Sequence, residues 1–198
     1  MHHGGNMGFL TGLNEYLSEN YEVSIFDQAL NSEEDWIFHI HEHRIEKAKI
    51  IENLTYDVKL LMEGHGEVEM PKIQIKLIYR AGLGSSVTPL IKMDKKVKAL
   101  ELGPILRPAG RYFVKNKSLY PLMKEKMVAF FTLLEGEVIR GLIAGFSRYD
   151  ITVHLKGGLP VTILRHSIYD LRDKKGRCFL KSFQEEHRDW TKSELYVD

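Results

Sequence analysis

Three histidines alternate in His39-Ile40-His41-Glu42-His43. On an extended strand they would share one face, at a spacing suited to a transition metal. No cysteine lies nearby, and a ligand from Glu42 would point to the other face, so the motif reads as a polar strand face and no metal is expected. Other covalent chemistry is sparse. Gly82-Leu83-Gly84-Ser85-Ser86 lacks the Lys-Ser/Thr ending of a phosphate loop, and neither serine has recognisable His and Asp partners. No active site is evident, and neither an enzyme nor a cofactor is expected. The strongest candidate group is non-covalent: Phe146-Ser147-Arg148-Tyr149 followed by Leu164-Arg165-His166-Ser167. Single-stranded RNA is held by aromatic stacking plus cationic contacts to phosphate, and Tyr149, Arg148, Arg165 and His166 supply both.

The elements that must position these residues are strands. Phe131, Leu133 and Val138 alternate with more polar neighbours, as do Ile151, Val153 and Leu155 with Asp150, Thr152 and His154. Glu135-Gly136-Glu137 and Lys156-Gly157-Gly158 carry tight-turn chemistry. Strands are expected at about 128 to 134, 137 to 146, 149 to 155, 160 to 165 and 167 to 172. Five short strands suggest a strongly bent antiparallel sheet or partly open barrel, with Gly141 and Gly145 permitting the bend. The spacing of Leu119, Leu122 and Met123 predicts a short helix over 118 to 127, and that of Phe9, Leu10, Leu13 and Leu17 another near the start. In the tail, Phe179, Phe183 and Trp190 suggest packing, as a short strand followed by a helix or as a segment covering a sheet edge.

The net charge of +1 conceals a division. Residues 1 to 80 hold 7 Lys and Arg against 14 Asp and Glu, or −7, which leaves +8 for residues 81 to 198. A polyanion should prefer the second half. Eight basic residues fall between Ala81 and Lys117, a stretch that Gly and Pro punctuate like a linker. The longest apolar runs stop far short of the roughly 20 residues a membrane helix needs, so no membrane association is expected. A single cysteine, Cys178, favours the cytoplasm.

A faint internal repeat is present. Residues 37 to 64 lie over 130 to 157 without a gap, with Tyr56-Asp57-Val58 over Tyr149-Asp150-Ile151 and Gly64 over Gly157. After a slightly longer loop in the first copy, Ile78-Tyr79 falls over Ile168-Tyr169. The expected organisation is an acidic first unit over 1–80 with an N-terminal helix, a basic linker over 81–117, a second unit over 118–172 and an extension over 173–198.

Across about 116 to 172, the order helix then five strands, the turn Gly136, Gly141 and Phe146, and Leu164-Arg165-His166-Ser167 together resemble the bacterial Hfq family of Sm-like (LSm) RNA chaperones. The resemblance implies a mainly β, duplicated Sm-like fold assembled into a ring, with U-rich RNA bound around the pore. Tyr149 then occupies the base-stacking position and Arg148 the place of the family's usual Gln. Arg165 and His166 stand at the family's Lys-His pair, Phe146 at its Sm1 aromatic, and Lys124 and Lys126 at its basic rim. Thr132 and Glu137 replace the apolar positions of the opposite face, which argues against A-rich binding there.

The first copy has His43 and Ala48 at the two glycine positions, Asn53 at the Phe position and Ile75-Lys76 at the Arg-His pair, so its RNA pocket is expected to be lost. Self-association is expected in one of two forms, three two-domain chains in a six-unit ring or six chains whose second units form the ring. The alternative function is an Sm-fold structural or protein-interaction ring that has lost RNA.

Overall fold

Period-two alternation becomes strand through most of both halves. In the computed structural model, which describes residues 8–180, the first half carries β1 (Asp35–Ile40), β2 (Arg44–Asn53), β3 (Asp57–Met62), β4 (Gly66–Pro71) and β5 (Ile75–Arg80). A two-residue strand β6 (Lys92–Met93) follows. The second half carries β7 (Val128–Leu133), β8 (Glu137–Phe146), β9 (Asp150–His154), β10 (Pro160–Leu164) and β11 (Ile168–Asp173). The chain is therefore mainly β. Its strands form one antiparallel sheet in the order β11-β7-β8-β9-β10-β5-β1-β2-β3-β4, with β6 attached to β8.

Within each half the spatial order is last strand, first, second, third, fourth, and each element of the first half recurs 93 residues later, from 35 and 128 to 80 and 173. Irregularities recur with it. The bulge between Ile50 and Glu52 reappears between Ile143 and Gly145, and the shift at His39/Ile40 opposite β5 has its counterpart where β11 meets β7. Turn hydrogen bonds obey the same spacing: Leu54 N to Asp57 O (2.9 Å) and Ser147 N to Asp150 O (2.8 Å), His41 N to Gln74 O (2.9 Å) and Leu134 N to Ser167 O (2.8 Å). No longer loop separates the third and fourth strands of the first half. The sequence alignment slipped by three residues there, because the Ile-Tyr pairs matched in letters while the hydrogen-bond register did not.

The halves join where β10 pairs with β5, at Thr162↔Ile78 and Ile163↔Leu77. Each half has its own core, and each core borrows across this joint. Leu77 and Tyr79 pack in the second-half core around Phe131, Ile139 and Ile151, while Leu164 packs in the first-half core around Phe38, Ile50 and Leu60. Burying each large apolar side chain contributes about 1.5–3 kcal/mol, so these exchanges hold the two halves together as well as the two-pair ladder does.

Three helices dress the sheet. α1 (Leu13–Asn20) fits the expected N-terminal helix, but Leu13 packs in the second-half core, so residues 1–80 are not one packing unit. α2 (Ile25–Ser32) was not foreseen in the sequence. Ser24 caps it by accepting from Phe26 N (3.2 Å), and Ile25, Phe26 and Ala29 cover the first-half core. The helix of the second half, α5 in chain order, spans Asn116–Lys124 and buries Leu119, Tyr120 and Leu122.

The segment read as a linker is structured. It contains α3 (Gly84–Val87), β6 and α4 (Lys95–Lys98), with Val87 and Val97 buried, and α4 is capped by Asp94. Asp94 N donates to Gly136 O (2.7 Å), and a Cβ on Gly136, whose φ is 99°, would stand 2.7 Å from Asp94 O. Only glycine allows this docking. Among the described residues no helix is long and apolar enough to cross a membrane.

Candidate nucleic-acid interface

The turn between β8 and β9 is built around Ser147. Its hydroxyl accepts from Tyr149 N and Asp150 N (both 3.2 Å), an arrangement serine forms readily at turns. Tyr149 is thereby lifted out, with 53% of its surface exposed. Its carbonyl accepts from Arg165 N (2.8 Å), which brings the two sequence-distant motifs side by side. The Arg148 guanidinium lies 5.6 Å from the Tyr149 ring centroid and 6.0 Å from that of Tyr21, and its backbone N–H donates to Tyr21 O (2.8 Å).

Arg165 is the second cation of the site and the more buried of the two. Its guanidinium lies 5.6 Å from the Phe146 centroid and donates from Nη2 to Asn116 Oδ1 (2.7 Å) at the start of α5. Burial lowers its pKa to about 10, with Tyr21 and Asp150 opposing, so it stays charged at neutral pH. Its Nε is buried and has no hydrogen-bond partner. Asp150 is the nearby carboxylate, but its Oδ2 accepts from Ile25 N (3.1 Å), and burial raises its pKa. Among the described residues the Arg165 Nε thus has no acceptor, and it is shielded from solvent.

The remaining expected residues are placed differently. Phe146 is buried beneath Tyr16, whose ring centroid is 4.8 Å away, so it supports Arg165 and presents no face to a base. His166 touches the other half: its Nε2 lies 2.8 Å from Ile75 O, and burial lowers its pKa to about 4. A neutral imidazole donating to a carbonyl is a contact between the halves and supplies no positive charge. Lys124 and Lys126 are exposed at the end of α5 opposite Asn116.

The first half retains the same arrangement. The turn before its last strand is Lys72–Gln74, which stands 93 residues before Arg165–Ser167. Lys72, not Ile75, is thus the counterpart of Arg165, and its N–H donates to Tyr56 O at 2.9 Å. Tyr56 is 81% exposed. The Lys72 ammonium donates to Leu54 O and Thr55 O and lies 5.3 Å from the Phe26 centroid. An exposed tyrosine and an adjacent cation therefore remain in the first half.

The three alternating histidines do not share a strand face. β1 ends at Ile40, and Glu42 and His43 adopt positive φ in the turn beyond. His39 lies inside, 3.0 Å from Tyr79 Oη, with its pKa lowered by burial to about 4. His41 is buried with its Nδ1 3.6 Å from Glu135 Oε1. Glu135 accepts from Glu42 N (2.6 Å) and His43 N (3.2 Å), and so ties the first turn of one half to that of the other. Donor atoms of His43, Glu135 and Glu137 gather within 4.8 Å of one another. The fully buried Lys76 ammonium, however, bonds both glutamates and already supplies the cation there. Sequence reading missed Lys76 because an apolar β5 gives no sign that one inward position faces two acids of the other half. It also missed Asn116 and the α1 cover, which only the tertiary fold reveals.

Comparison with known protein families, with characterised proteins and with solved structures finds no match to this chain.

Proposed function

We propose that the chain is a two-unit, Sm-like, Hfq-related protein that captures single-stranded RNA by stacking and charge, without catalysis. The observation that carries this reading is the exposed Tyr149, with the exposed Arg148 guanidinium 5.6 Å from its ring and the Arg165 backbone N–H on its carbonyl. An aromatic face for a base beside a cation is what a nucleotide needs, and stacking contributes roughly 1–3 kcal/mol per base. The preference for uridine-rich strands rests on the Hfq resemblance. The repeated strand order supports the Sm-like reading, and Tyr56 with Lys72 offers a second platform per chain. Three chains would give a six-unit ring, and a cytoplasmic location belongs to the same proposal.

The test is binding of labelled U-rich and A-rich oligonucleotides at low salt, with the mass of the complex measured on the same samples. U-rich preference that is lost in Tyr149→Ala supports the reading, and absence of RNA affinity from an intact assembly sinks it. That second outcome would favour a protein-interaction or structural ring, to which His166 as a contact between halves already lends itself.

A further inference from the structure

After β5 the chain turns away through Ala81–Leu83 and leaves the outer edge of that strand to β10. Its counterpart β11 meets its own continuation instead. Asp173 Oδ1 accepts from Lys175 N and Arg177 N (both 2.9 Å), and Gly176, at φ 80°, completes a turn that folds the next residues back. Asp173 N then donates to Arg177 O (3.2 Å), Arg172 bridges Cys178, and Phe179 N donates to Leu171 O (2.9 Å). Leu180 is buried and bridges Val114, which fastens the end of the segment. At the far side of the sheet, the outer edge of β4 has no strand partner among the described residues.

We propose that Arg177–Leu180 is a displaceable strap, lying on the edge where β4 of a second copy of this chain docks. This rests on the ring reading above and names what controls ring closure. The joint inside the chain is the template, since β4 is the repeat of β10 and β11 is the repeat of β5. Carried over by 93 residues, Thr162↔Ile78 and Ile163↔Leu77 become Glu69↔Leu171 and Met70↔Asp170 between chains. Leu171 cannot pair with both Phe179 and a neighbour's Glu69, so strap and neighbour exclude each other. β4 presents exposed Glu67 and Glu69, and the exposed Lys174 and Lys175, which stay behind when the strap leaves, follow the end of β11. An open strand edge invites pairing, and a short strap is one way to keep it covered until a partner arrives.

The experiment uses the full chain with Phe179→Pro, which removes the N–H that holds Leu171, and follows mass by light scattering over a dilution series. The concentration at which one-chain mass gives way to three-chain mass should fall about tenfold, as loss of one competing hydrogen bond implies. An unchanged or higher concentration overturns the proposal. Amide exchange at Phe179 in the unsubstituted chain decides the matter if the variant does not fold: protection in dilute protein should vanish on assembly, and protection that persists in the assembled form overturns the strap. Neither readout contains RNA, so failure here is separate from failure of RNA capture.

Discussion

Lys72 stands 93 residues before Arg165, and each gives its backbone N–H to the carbonyl of an exposed tyrosine, Tyr56 at 2.9 Å and Tyr149 at 2.8 Å. The equivalence predicts two stacking platforms per chain of unequal strength. The Lys72 ammonium is already engaged by Leu54 O and Thr55 O, whereas Tyr149 has the exposed Arg148 guanidinium 5.6 Å from its ring. Tyr149→Ala should weaken U-rich RNA binding by about 1–3 kcal/mol and Tyr56→Ala by less, while phenylalanine at either position preserves affinity. Filter binding or anisotropy at fixed salt measures both. Equal loss from the two variants would show that the adjacent cations do not rank the sites.

The charge at the site predicts a flat pH dependence. Arg165, with a pKa of about 10, stays charged up to pH 8, and His166, with a pKa of about 4, is neutral down to pH 6. RNA affinity should therefore change little between pH 6 and 8, and Arg165→Met should lower the slope of log affinity against log salt by roughly 0.7 per occupied pocket. An affinity that climbs toward pH 6, and ceases to climb in His166→Gln, would make the imidazole the working cation after all.

Much of the second half was legible because burial there has a period of two. Ala129, Phe131 and Leu133 face inward in turn, and glycine turns mark the ends, so its five strands fall within a residue or so of expectation. The first half was harder. Its last strand buries every position from Ile75 to Tyr79, since it is covered on both faces, and alternation therefore gave no register. The three-residue slip in the repeat arose there, and with it the loss of Lys72 from the candidate site. Tyr149 and Arg165 could be paired from sequence, but the neutral state of His166 and the burial of Phe146 could not. Both depend on the opposing half and on α1, contacts 91 and 130 residues away in the chain.

The Lys76, Glu135 and Glu137 group is the electrostatic seam between the halves, and it predicts a large asymmetry between single and combined substitutions. Lys76→Met leaves two buried carboxylates without their cation and should cost about 3–5 kcal/mol of stability in urea denaturation. Adding Glu135→Gln and Glu137→Gln to Lys76→Met removes the stranded charges and should recover part of that loss. If the combined variant is the less stable by the sum of its parts, the three side chains do not act as one unit.

Acid should loosen the joint between the halves before it unfolds either core. His39 and His166 both have pKa values lowered to about 4 by burial, whereas an unfolded histidine titrates near the reference value of 6.5. Between those values the unfolded chain binds protons that the folded chain refuses, so stability is complete above about pH 6.5, falls as the pH drops, and levels off near pH 4. The loss is on the order of 3 kcal/mol per histidine. Glu135, held low against its own burial by Lys76 and the Glu42 and His43 amides, gives up its contribution only further down, as the pH falls below the ordinary carboxylate range, while the raised Asp150 works against the trend. His166→Gln can still donate to Ile75 O but cannot take a proton, so its plot of unfolding free energy against pH should be shallower by about half of the two-histidine slope. A slope identical to that of the unsubstituted chain would mean that His166 titrates alike in the folded and unfolded chain and is not held at Ile75, and that the joint is held by the strand ladder and the Lys76 group alone.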